Sequence, residues 1–181
     1  MRDLLKSEWY TLLNNEQQAL VTISVELFEK ETGINSAWRD YSFIVFPISK
    51  AYEGFLKQRF FDLGLIDEKT FKGKRFRIGK ALNPDIHERS KDEHWLFDDL
   101  EQMCGTQVAQ ELWETWLHCR NRVFHFYPQG NNLITLNKAE ELLIQVSSAM
   151  KTVIECQITF NEDQKELSEK NKAKKQVIFT N

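Results

Sequence analysis

Chain breakers are scarce in this sequence. Among 181 residues stand 3 Pro and 7 Gly, which argues against many short strands joined by turns and for long helices. Cysteine is scarce too. Cys104, Cys119 and Cys156 are an odd number with no CxxC spacing, so no zinc site and no disulfide framework is expected, and a reducing cytoplasm fits. No apolar run reaches the roughly eighteen residues of a membrane span. The stretch from Met1 to Glu8 lacks the apolar h-region of a signal peptide. Charge of one sign is missing as well. With a net charge of −3, any nucleic-acid contact must come from a local patch.

What is present is aromatic and helical in period. There are 13 Phe and 5 Trp, and the length suits one domain with a sizeable core. From about Asn15 to Glu31, Leu20, Ile23, Leu27 and Phe28 lie on one helical stripe, with Gly33 as a stop. From about Asp40 to Leu63, Phe43, Phe46, Ala51, Tyr52, Phe55, Leu56 and Phe60 read mostly as core. Pro47 either starts that helix or kinks a longer one. A third helix covers about Asp92 to Met103, with Trp95, Leu96 and Leu100 inward. Gly105 ends it and Thr106 is placed to cap a fourth, from about Thr106 to Phe126. There Trp113 and Trp116 read as core and His118 as facing solvent. The fifth, from about Asn137 to Phe160, carries Leu142, Leu143, Val146, Ala149, Val153 and Ile154 on one face.

Between the second and third helices lies a basic insertion at 67–91, read as a loop or short hairpin. Its centre, Phe71-Lys72-Gly73-Lys74-Arg75-Phe76-Arg77, offers Lys72, Lys74, Arg75 and Arg77 to an RNA backbone. Phe71 and Phe76 can stack bases or pack down. The expected fold is all-α: an antiparallel helical bundle of four to five main helices over residues 1–160. The charged tail at 161–181 reads as disordered or frayed. His87, Glu88 and His94 have no third ligand at helical spacing, so no metal or other cofactor is expected.

One segment carries chemistry: Arg120-Asn121-Arg122-Val123-Phe124-His125-Phe126-Tyr127, at the end of the fourth helix. Asn121 and His125 stand one turn apart on one face, with Arg120 beside them. These types suit RNA cleavage by the ribose 2′-hydroxyl. Histidine titrates near neutrality and can take the 2′-OH proton. A guanidinium stabilises the phosphorane. The amide orients the imidazole or holds a phosphate oxygen, and Arg122 adds a cation for RNA. The same residues also read as a plain helix end in which His125 favours the helix dipole.

Arg120, Asn121 and His125 match the Arg-x4-6-His mark of the HEPN superfamily, small helical bundles that are frequently ribonucleases, and residues 15 to 158 resemble that fold. The segment Pro47-Ile48-Ser49-Lys50-Ala51-Tyr52-Glu53-Gly54-Phe55-Leu56-Lys57 and the Phe71 to Asn83 stretch look closest to the C-terminal domain of the RNase LS (RnlA-like) toxins. That resemblance implies that Lys50 and Glu53 face Arg120 and His125 from the neighbouring helix. It also implies a homodimer with a composite site, RNA as substrate and a cognate antitoxin as partner, in a toxin–antitoxin or phage-defence module. The full-length toxins' N-terminal domains have no counterpart here. Arg120, His125 and Tyr127 also fit a longer Arg-x4-His-x-Tyr motif. In proteins bearing it, a nucleotidyltransferase antitoxin adds AMP to the tyrosine, which makes Tyr127 a candidate modification site. The competing expectation is an inactive domain that grips an antitoxin or nucleotide.

Overall fold

A computed structural model describes residues 1–34, 36–128 and 132–156. Among the described residues the fold is all-α, with no strand. After a 3-10 turn at Arg2–Lys6 come α1 (Glu8–Thr11), α2 (Asn15–Ile34) and α3 (Ser42–Asp62). Two short helices follow, α4 (Glu68–Lys72) and α5 (Ile78–Ala81), then a 3-10 turn at Glu88–Ser90 and α6 (Phe97–Cys104). The next rod has three parts: α7 (Thr106–Trp116), a π-helical turn (Leu117–Asn121) and a last α turn, α8 (Arg122–Phe124). The final helix, α9, covers residues 136–156. The expected tail at 161–181, and the end of the fifth helix to Phe160, lie outside the described residues.

α2 starts on a reciprocal cap. Asn14 Oδ1 accepts the Gln17 N–H at 2.9 Å and Gln17 Oε1 accepts the Asn14 N–H at 3.2 Å. Its buried face is Gln17, Val21, Ser24, Val25 and Phe28, displaced from the expected stripe, and Ile23 is exposed. The displacement has a polar cause. α3 passes through Pro47, whose ring disturbs the helical ladder. The N–H of Ile48 then donates to Ser24 Oγ at 2.9 Å, so α2 turns Ser24 inward.

α3 is the central element. Ile44, Ile48, Tyr52, Phe55, Leu56 and Phe60 are buried, while Phe43 and Phe46, expected with the core, stay exposed. On α9, Leu142, Leu143, Val146, Ala149, Val153 and Ile154 are all buried, as the periodicity predicts.

Residues 67–91 hold α4, α5 and a 3-10 turn, so the hairpin alternative gives way to short helices. Phe71 stacks on Phe61 at 4.7 Å and Phe76 meets Phe60 edge-on at 6.4 Å, so both rings pack down. α6 begins at Phe97 rather than near Asp92 because Asp92 is engaged elsewhere: its carboxylate holds Lys80 and takes the His94 N–H. Gly105, not Thr106, caps α7; its φ of +87° links α6 to α7 in a conformation that favours glycine.

The cysteine reading needs correction. Cys104, at the end of α6, and Cys156, on α9, are joined in a disulfide with Cα atoms 5.6 Å apart. They lie 52 residues apart in sequence, a separation that carries no motif, and the third cysteine hid the pairing. No helix among the described residues is long and apolar enough to cross a membrane.

Candidate functional site

Arg120 sits in the π turn, where the Arg122 N–H reaches back to the Leu117 carbonyl. Such one-residue expansions re-aim the side chains around them and recur at functional sites. Here Arg120 and Phe124 face one side of the rod, while His118 and Arg122 face another. α3 ties the turn down. Buried Ser49 has two carbonyl oxygens in reach, Cys119 at 2.6 Å and Val45 at 2.8 Å. One hydroxyl proton serves the shorter contact best, which fixes the π turn against α3. One helical turn along α3, the Tyr52 hydroxyl donates to Leu112 O at 3.1 Å, and burial raises its pKa well above the usual value.

A cleft of about 190 Å³ opens between α3 and the π turn, lined by Phe46, Ser49, Lys50, Glu53, Arg120 and Phe124. Thus Lys50, Glu53 and Arg120 come together. Arg120 Nε lies 3.7 Å from Glu53 Oε2, both side chains partly exposed. That pair is worth little to stability, about 0–1 kcal/mol, and leaves the guanidinium open to a ligand. The guanidinium carbon lies 5.4 Å from the centroid of the Trp116 ring.

Trp116 is itself hemmed in. A Cβ built on Gly79 of α5 would come within 2.5 Å of Trp116 Nε1. Gly79, Trp116 and Arg120 therefore form a stack linking the basic segment to the cleft. Sequence reasoning missed it: the Trp116–Arg120 spacing of four was visible, but no local pattern marks Gly79. Ser49 and Phe46 were missed as site residues too.

His125 is not in this cleft. The helix ends at Phe124, and His125 is extended (φ −103°, ψ 134°) and exposed. It therefore does not stand one helical turn above Asn121, as expected; Asn121 lies half-buried in the π turn. His125 lines a neighbouring hollow of about 300 Å³ with Asp40, Phe124, Phe126, Asn132 and Leu133. Phe124 is the wall shared by the two hollows. Asn132 Nδ2 donates to the carbonyls of Arg122 (3.2 Å) and His125 (3.1 Å). The imidazole meets the Tyr127 ring edge-on at 6.5 Å. Around these hollows the surface is unusually apolar: Phe46 is 55% exposed, Phe126 89%, Tyr127 41% and Leu133 47%.

The basic segment lies elsewhere. Lys74 and Arg75 line a basin of about 710 Å³ with Lys69, Thr70, Phe76 and His94. Lys72 pairs with Glu68 at 2.5 Å, and Arg77 is exposed at the start of α5. Arg122 lines a third hollow with His118, which is half-buried rather than solvent-facing. Cys119, under the π turn, is no nucleophile, since burial pushes its thiol up to about 12. Among the described residues no group of three His, Cys, Asp or Glu is placed to hold a metal ion. Comparisons with protein-family models, curated proteins and solved structures return no match.

Proposed function

We propose that this chain is a HEPN-type endoribonuclease, the toxin of a toxin–antitoxin or phage-defence module, cleaving RNA by attack of the 2′-hydroxyl. The observation that carries the reading is the cleft in which Arg120 meets Lys50 and Glu53, as the motif's likeness to HEPN ribonucleases implies.

His125 takes the 2′-OH proton. The 2′ oxygen bonds to phosphorus, the bond from phosphorus to the 5′ oxygen breaks, and that oxygen takes a proton from solvent. Arg120 and Lys50 stabilise the phosphorane charge. Glu53 aims the guanidinium, and Asn121 holds a phosphate oxygen or the imidazole. The nucleophile belongs to the substrate, so no cofactor is needed, and DNA, lacking a 2′-OH, is spared. The products are a 2′,3′-cyclic phosphate and a 5′-hydroxyl. Lys72, Lys74, Arg75, Arg77 and Arg122 contact the RNA backbone.

Because His125 stands outside the Arg120 cleft, the reaction calls for a second copy of the chain, with the exposed aromatic rim as the homodimer interface and the active site composite. A cognate antitoxin then blocks that cleft. We place the protein in the cytoplasm, with its RNA substrate, where the thiol pool opens the Cys104–Cys156 bridge.

The same separation of His125 from Arg120 favours one other reading, an inactive module that binds an antitoxin or nucleotide. In a variant of the first reading, exposed Tyr127 is the residue a nucleotidyltransferase antitoxin modifies with AMP. Cleavage of labelled RNA in chelator-containing buffer separates them. Activity lost in Arg120→Ala and in His125→Ala supports the nuclease; activity intact in both variants sinks the mechanism.

A further inference from the structure

Away from the Arg120 cleft, the rod builds a second cationic hollow. It measures about 400 Å³ and is lined by His118, Arg122, Asn132 and Lys138 over a floor that includes Val123 and Leu142. Among the described residues no carboxylate lines it. Lys138 pairs with Glu141 at 2.7 Å at the rim, but the Arg122 guanidinium has no hydrogen-bond or ion-pair partner among the described residues. His118 is half-buried. Burial first, then the charges of Arg122 and Lys138, hold its pKa below the usual histidine value, against an opposing pull from Glu114. Arg122 and Lys138 thus converge with His118 on one space and disfavour the charged form of its imidazole.

This hollow borders the one that His125 lines. It shares Val123, Asn132 and Leu133 with the His125 hollow, which shares Phe124 with the Arg120 cleft. The hollow therefore lies beside the His125 hollow, around the end of α8. The apolar floor suits a ribose or base, and the forked Arg122, without a partner among the described residues, suits a phosphate.

We propose that the His118–Arg122–Lys138 hollow is a phosphate subsite, holding a phosphodiester of the RNA strand on the His125 side of the bond that is cut. The proposal rests on the ribonuclease reading and extends it with a direction for the substrate. An anion here offsets the charges of Arg122 and Lys138 that disfavour the imidazolium, so binding couples to protonation of His118.

The test uses the full chain and two probes: inorganic phosphate, and a short RNA made uncleavable by 2′-O-methyl groups. The readouts are the NMR pH titration of the His118 imidazole and the salt dependence of oligonucleotide affinity. Both probes are expected to raise the His118 pKa saturably. Arg122→Gln, at an exposed position, should abolish the phosphate effect, weaken oligonucleotide binding roughly tenfold and lower its salt slope by about one. An oligonucleotide that fails to bind, or binds without moving His118, overturns the subsite. So does a response to phosphate alone, which marks a small-anion site off the strand's path. An unchanged affinity and salt slope in Arg122→Gln overturns it equally. Binding is read without turnover, so the two claims fail separately. A chain that cleaves RNA through Arg120 and His125 but fails here loses only the subsite. A chain that passes here and cleaves nothing loses the ribonuclease reading and keeps the hollow as a strand-phosphate site without a cut bond beside it.

Discussion

The two halves of the candidate site are held to different degrees. Arg120 is braced on three sides: by the Trp116 ring, by Glu53 and by a π turn that Ser49 ties to α3. His125 is the first residue past α8, exposed, fixed mainly through its carbonyl by Asn132. The contrast separates two catalytic requirements. A charge stabiliser works best when set in place beforehand, so that no reorganisation is needed as charge develops. On the proposed mechanism a proton acceptor must reach the 2′-OH, and His125 stands on an exposed, extended segment just past the helix end.

The comparison breaks most sharply on the reacting groups. Arg120→Ala and His125→Ala should each lower RNA cleavage roughly hundredfold or more, with thermal melts close to the parent's because both side chains are partly or fully exposed. A loss confined to one of them would remove the other from the mechanism. The next largest effect lies far from both halves and serves as a control. Reducing the Cys104–Cys156 bridge should cost about 2–4 kcal/mol of stability, seen as a lower melting temperature under dithiothreitol, with the ranking of the two variants unchanged.

A smaller change sharpens the braced half. In Gly79→Ala the new methyl meets Trp116, an overpacking expected to cost about 1–3 kcal/mol. If Trp116 positions Arg120, the Arg120 Nε–H resonance should lose part of its ring-current shift and cleavage should fall, while Trp116→Phe keeps most of both. Least disruptive is Asn132→Ala, which removes two hydrogen bonds at the loose half for roughly 1 kcal/mol each by denaturant titration. Cleavage should drop through His125, and the Arg120 resonance should not move.

The helices were legible because their apolar residues recur at helical period and breakers are few. The α9 face reads off Leu142, Leu143, Val146, Ala149, Val153 and Ile154, all buried. α2 was misphased because a polar contact, the Ile48 N–H to Ser24 Oγ, turns Ser24 inward; that contact spans two helices and leaves no trace in a hydrophobic pattern. The grouping of Lys50, Glu53 and Arg120 came from resemblance, and their convergence in one cleft is now a matter of geometry. The π turn could not be read, since an inserted residue in a helix has no composition of its own. It re-phases the rod after Trp116, and the helix then ends at Phe124 with His125 extended, which is why Asn121 and His125 do not share a face. The disulfide escaped for a related reason: it depends on how α6 and α9 meet, and nothing near either cysteine records that.

The central claim is that Arg120 of one chain works with His125 of another. Mixing equal amounts of the Arg120→Ala and His125→Ala chains, unfolded together and refolded, tests it directly. A composite site predicts cleavage restored to about a quarter of the parent's, because half of the dimers are mixed and each mixed dimer holds one intact site. A mixture as inactive as its two folded components would contradict the account and confine the reaction to a single chain.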